Sequence, residues 1–157
     1  MRIARAMALS GLVLLGAAMP AWAKDATLQF KLLTQRISVV NELPTIAGHT
    51  ITVGEYMGVA VFADGRLAHK SFVDVSDDTD SAGTFKGYST YTFQDGASLT
   101  LGYSGGWDGN GLHGDYMVLS GTGTYAGAKG TGSFNGLDEP WGDANLFDVA
   151  IRLTLPE

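Results

Sequence analysis

Two tyrosines, a tryptophan and a scatter of acids and histidines carry whatever chemistry this chain can do. Tyr91 shares an alternating face with Phe85 and Phe93, and Tyr103 shares one with Leu99 and Leu101. If these faces line an interior, each hydroxyl could meet an apolar ligand there; plain packing is the favoured reading, since side chains usually fill small barrels. Trp107 sits in Ser104-Gly-Gly-Trp-Asp-Gly-Asn110, where a large ring on a glycine-rich loop could close a cavity mouth. Glu55 lies between Gly54 and Tyr56 in an apolar stretch, on the face of Met57 and Val59. Were that face inward, its carboxyl could serve as a general acid or base. The favoured alternative is that it faces solvent or a subunit, since lone ionised carboxylates are rarely buried.

The remaining polar groups spell out no familiar site. His69 lies among Leu67, Ser71 and Val73, and His113 could share a face with Asp115. Either histidine could act as a base, but three histidines on different stretches have no metal-triad spacing. Asp74-Val-Ser-Asp-Asp-Thr-Asp80 crowds four carboxylates into what reads as an acidic loop. Calcium would suit such oxygens. The EF-hand pattern fails, however, because Ala82 replaces a ligand and the twelfth position from Asp78 is Ser89. A solvated acidic turn is the favoured reading, with no metal and no cofactor expected. The chain has neither a Gly-x-Ser-x-Gly elbow nor a His-Glu-x-x-His pair. It has no cysteine, so disulfides, thiolate metal sites and thiol nucleophiles are excluded. Its net charge of −6 argues against a nucleic-acid partner.

The elements that must position these residues read as all β. The 157 residues fit a single domain. Strands are expected at 27–33, 49–62, 65–75, 83–93, 97–103, 113–120, 130–134 and 146–155. Asp64-Gly65 and Asp95-Gly96 supply hairpin turns. The segments 35–46, 76–82 and 104–110 read as loops, the first with room for a turn of helix. Eight short strands predict a sandwich or a closed antiparallel barrel. The near-repeat Gly121-Thr-Gly-Thr-Tyr-Ala-Gly127 and Gly130-Thr-Gly-Ser-Phe-Asn-Gly136 reads as a tight corner. No helical pattern follows it, so a phosphate-binding loop is rejected.

Residues 1–23 read as a secretory signal peptide: Arg2 and Arg5, an apolar run from Ala6 to Met19, then Ala21-Trp22-Ala23. The run is shorter than the ~20 residues a spanning helix needs. The mature domain would be residues 24–157, with 8 basic and 16 acidic residues, exported to a periplasm or beyond. Insertion as an outer-membrane barrel is not expected, because the chain ends Leu-Thr-Leu-Pro-Glu and no aromatic girdles recur.

The stretch Tyr116-Met-Val-Leu-Ser-Gly-Thr-Gly-Thr-Tyr-Ala-Gly-Ala-Lys-Gly-Thr-Gly-Ser-Phe134 resembles the glycine corner of the allene oxide cyclase and dirigent protein barrels. Gly87-Tyr-Ser-Thr-Tyr-Thr-Phe-Gln-Asp-Gly-Ala-Ser-Leu-Thr-Leu-Gly102 resembles their preceding hairpin, and Leu146 to Leu155 their last strand. The resemblance covers about residues 50–155. It implies a closed eight-stranded antiparallel barrel with an apolar cavity for a small organic molecule, and a homo-oligomer, trimer or dimer. It also implies steering of a cyclisation or isomerisation. The cyclases' catalytic residues are not matched. Where they carry a carboxylate and an amide, this chain has Phe30-Lys31-Leu32-Leu33; their cavity cysteine falls near Ala60 and their cavity tyrosine near Gly105. Whether the chain is an enzyme is therefore open.

The expectation is an exported barrel binding a small apolar or aromatic molecule, with Tyr91, Leu99, Leu101, Tyr103, Trp107 and Glu55 as candidate ligand contacts. The alternative is a non-enzymatic structural or interaction module of the cell envelope, with a filled interior and an apolar outer patch.

Overall fold

A computed structural model describes residues 23–43, 46–138 and 144–156; the predicted signal peptide lies outside them, apart from Ala23. The chain forms eight strands: β1 (Lys24–Leu43), β2 (His49–Phe62), β3 (Leu67–Thr79), β4 (Gly83–Phe93), β5 (Ser98–Asp108), β6 (Gly111–Thr122), β7 (Lys129–Leu137) and β8 (Ala144–Leu155). Each pairs antiparallel with the next, and β1 pairs with β8 to close the barrel. Closure leaves no free sheet edge.

The three segments read as loops are largely strand. β1 runs through Leu43 because bulges between Arg36 and Ser38 and between Val39 and Asn41 absorb the breaks in alternation that disguised it. β3 runs through the acidic stretch to Thr79, and the turn is confined to a few residues. There the Thr79 N–H donates to the Ala82 carbonyl at 2.7 Å. β5 runs through Trp107 to Asp108. The glycines at 105 and 106 mark a close approach of strands here. A methyl group on Gly105 would strike the His113 carbonyl, the Gly114 Cα and the Phe85 ring.

The two Asp-Gly pairs do make turns. Gly65 and Gly96 have φ of +85° and +83°, which glycine adopts without strain. The corner after β6 is a single 3₁₀ turn (Gly123–Tyr125) that tucks Tyr125 inward, its ring 4.6 Å from that of Phe93.

One half of the interior is solid. Leu28, Phe30, Phe62, Phe93, Leu99, Leu101, Ile151 and Leu153 fill it, with Tyr125 packed against its end. The other half is lined differently because interior glycines alternate with interior rings. Gly87 faces Tyr103 across the β4–β5 pair, Gly105 faces Phe85, and Gly83 faces Trp107. A ring can lie across the barrel only where its neighbour has no side chain.

Candidate functional site

Strand β3 is built inside out. Leu67, Val73 and Val75 point outward and are more than two-fifths exposed. Ala68, Lys70, Phe72, Asp74, Ser76 and Asp78 point inward, their burial easing along the strand from Lys70 to Asp78. The barrel's register forces this, because Ala68 pairs with the fully buried Ala60 and every second residue then follows it inside. The acidic stretch is thus not a solvated turn. Asp74 and Asp78 enter the barrel, while Asp77 stays outside and accepts a 2.9 Å bond from His49 Nδ1.

The inward face opens into a cavity of about 230 Å³. Its lining comes from the carboxyl ends of β1, β3 and β5 and the amino ends of β2, β4, β6 and β8, so the mouth is at one end of the barrel. Phe72, Phe85, Tyr103, Tyr116, Phe134 and Phe147 are part of its wall, and Arg36 joins them there. Trp107 stands half-buried at the mouth, its indole N–H donating to Asp78 Oδ1 at 2.8 Å. Ser76 donates to the other Asp78 oxygen at 2.6 Å.

Lys70 lies deepest. It is 3% exposed, and its Nζ donates to the Tyr116 hydroxyl at 2.8 Å. That hydroxyl is 3.3 Å from the hydroxyl of Tyr91. Among the described residues no carboxylate comes within ion-pair distance of Nζ. Four rings surround it instead: Phe72 at 4.2 Å, Tyr116 at 5.2 Å, Tyr103 at 5.3 Å and Tyr91 at 5.4 Å. Their faces offset part of the cost of burying a charge, on the order of 1 kcal/mol apiece at best. Burial dominates and lowers the amine to about 7, with the charge of Asp74 working against the shift.

Asp74 occupies the middle of the cavity. Burial raises its carboxyl above the usual range, and the hydroxyls of Tyr56 and Tyr103 pull it back down. The Tyr103 hydroxyl donates to the Val73 carbonyl at 3.0 Å and lies 3.4 Å from Asp74 Oδ2. Asp74 Oδ1 is buried without a hydrogen-bond partner. Burial first, and the Asp74 charge second, raise both the Tyr56 and Tyr103 hydroxyls. A base lowered toward neutrality and an acid raised toward it therefore share one cavity, where either could exchange a proton with a bound molecule.

Of the six sequence candidates, Tyr103 and Trp107 line this cavity. Tyr91, Leu99 and Leu101 are inside but packed beneath it, and Tyr91 meets it at the Tyr116 hydroxyl and the Lys70 amine. Glu55 is on the outer face, where Ser38 Oγ donates to it at 3.1 Å; the register that takes Gly54 and Tyr56 inward sends it out. His69, His113 and Asp115 are also exposed. Sequence reasoning missed Lys70 and Asp74. The available signal was the face opposite His69, once Ala60 and Ala68 were taken as interior.

No family model and no curated protein matches the chain. Solved structures do. The pterocarpan synthase dirigent protein GePTS1 superposes with a TM-score of 0.64 at 13% identity, covering 87% of this chain and 93% of that one. A second pterocarpan synthase dirigent protein, PsPTS1, gives 0.61 at 12% identity over 85% and 97% of the two chains. A protein of unknown function of the DUF3224 family from Shewanella oneidensis MR-1 gives 0.51 at 14% over 83% and 96%. The fold is a dirigent-like, allene oxide cyclase-like barrel.

Proposed function

We propose that this barrel takes a small apolar or aromatic molecule into its one-ended cavity and steers its isomerisation or cyclisation. The carrying observation is the composition of that cavity: eight aromatic side chains around the Lys70 amine, the Arg36 guanidinium and the carboxyls of Asp74 and Asp78, with a volume of about 230 Å³. Pockets for drug-sized ligands begin near 300 Å³, and a dry cavity of about 150 Å³ admits benzene. The occupant is thus of single-ring size. Lys70 and Asp74 supply a base and an acid for moving a proton between two positions of a conjugated molecule, which is the elementary step of an isomerisation. Support also comes from the two similar folds that are named as pterocarpan synthases.

Calorimetric titration with a panel of single-ring phenols and aryl alcohols tests the reading. Binding is expected, with loss in Ser76→Phe, which fills the mouth. No binding by any member would overturn it. The protein acts, on this proposal, after export, as residues 24–157; mass spectrometry of the secreted chain should give Lys24 as its first residue.

A second reading, association through the outer wall, is favoured by a separate observation. Val73, Val75, Tyr88, Met117 and Leu119 form an exposed apolar patch across β3–β6. Patches of this kind mark interaction sites. Sedimentation should show an oligomer that Tyr88→Lys with Met117→Lys dissociates; a monomer at all concentrations removes the reading.

A further inference from the structure

We infer that Lys70 captures small aromatic aldehydes or ketones as a reversible Schiff base within the barrel. The inference rests on the proposal that the cavity admits single-ring molecules.

Geometry carries it. A carbonyl-capturing lysine needs a free amine, a path for the carbonyl, a nearby proton donor and a wall that holds the ring. Lys70 Nζ faces the cavity and has no carboxylate partner among the described residues, so no ion pair holds it in the protonated form. The Tyr116 hydroxyl at 2.8 Å stands where a departing oxygen needs a proton, and Tyr91 at 3.3 Å backs it. Phe72, Tyr103 and Phe134 offer ring faces and edges to an aryl group. An apolar pocket that lowers a lysine's basicity is a recognised way of activating it as a nucleophile, and burial acts on Lys70 in that direction.

The step balances without a redox partner. The Nζ lone pair attacks the carbonyl carbon, and the C=O π pair moves onto oxygen. A proton passes from nitrogen to that oxygen through Tyr116, giving a carbinolamine. The C–O bond then breaks as the nitrogen lone pair forms C=N. The oxygen leaves as water, carrying a second proton relayed from nitrogen. Amine and carbonyl become imine and water. When the imine nitrogen is protonated, the four rings around Nζ face the resulting cation.

Benzaldehyde with sodium cyanoborohydride at pH 7, followed by peptide mapping, tests this. Hydride delivery to the imine carbon fixes the adduct as a secondary amine. Lys70 should be labelled at least about ten-fold faster than the exposed Lys24, Lys31, Lys86 and Lys129, because an ordinary lysine is almost wholly protonated at pH 7. Lys70→Met should lose this label, while the parent protein binds benzyl alcohol in calorimetry. Even labelling across the lysines, or none at Lys70 while benzyl alcohol binds, overturns the inference and leaves cavity binding standing. Failure of benzyl alcohol to bind the parent protein brings down both.

Discussion

At the scale of single residues, Lys70 costs the protein stability. Its amine is lowered to about 7 in the fold, against 10.5 in the unfolded chain. Below about 7 both states are protonated, and above about 10.5 neither is. Between them the unfolded chain binds a proton that the folded one does not, so stability climbs as pH rises, by about 1.4 kcal/mol per unit for a single group. Lys70→Met removes the group and keeps an apolar chain against the four rings. It is expected to melt several degrees above the parent at pH 7, with the two converging toward pH 10. Parallel melting curves from pH 7 to pH 10 would show that the amine stays charged in the fold. Tyr116→Phe acts the other way. It leaves Nζ without its hydroxyl partner and should lower stability by about 1–3 kcal/mol in denaturant titrations. Tyr103 and Trp107 were legible as cavity-lining side chains because large rings stand out in an alternating strand and a glycine-rich stretch. Lys70 and Asp74 were not, because β3 reverses the usual sign and carries its apolar residues outward. Glu55 faces outward, as the favoured reading of its stretch had it, and is lost as a ligand contact because the apolar face it belongs to is the outer one.

Among the elements, glycine serves two separate purposes, and substitution distinguishes them. Gly105 is there for space. A Cβ would collide with backbone on β6 and with the Phe85 ring, so Gly105→Ala should cost roughly 1–3 kcal/mol, as overpacking does. Gly65 is there for conformation. Nothing lies within 4 Å of its position, but φ is +85°, and Gly65→Ala should cost about 1–2 kcal/mol through backbone strain alone. Gly102 answers to neither need. A methyl group there meets only the flexible Leu119 at 3.6 Å, and Gly102→Ala should fall within about 0.5 kcal/mol of the parent. Equal effects at all three positions would contradict this division. The strand cores at β2, β4 and β5 were readable from alternation and the two Asp-Gly turns. The true lengths of β1, β3 and β5 were not. Bulges hid the period in β1, charges imitated a loop in β3, and glycines did so in β5.

For the whole molecule, closure is the governing fact. The final strand pair joins Lys24 to Leu155, the two ends of the described barrel in sequence. Contacts so distant along the chain are slow to form, and refolding should fall in the millisecond-to-second range expected of non-local β topologies. Stopped-flow fluorescence measures this directly, and microsecond folding would require most of the structure to form locally. The division of the interior into a solid half and a hollow half has an energetic sense as well. Phe30, Phe62, Phe93 and their neighbours hold the barrel together, which leaves the other half free to carry a group such as Lys70 whose burial costs stability.

The pairing of Lys24 with Leu155 also fixes where the two ends of the barrel's chain emerge: side by side, at the plugged end and away from the mouth. A short peptide bridging them should permit circular permutants whose new termini fall at Asp80 and Ser81. A molecule tethered to a surface through either strand end would stand with its opening toward the liquid, which suits it to immobilised ligand-capture assays without obstruction by the support.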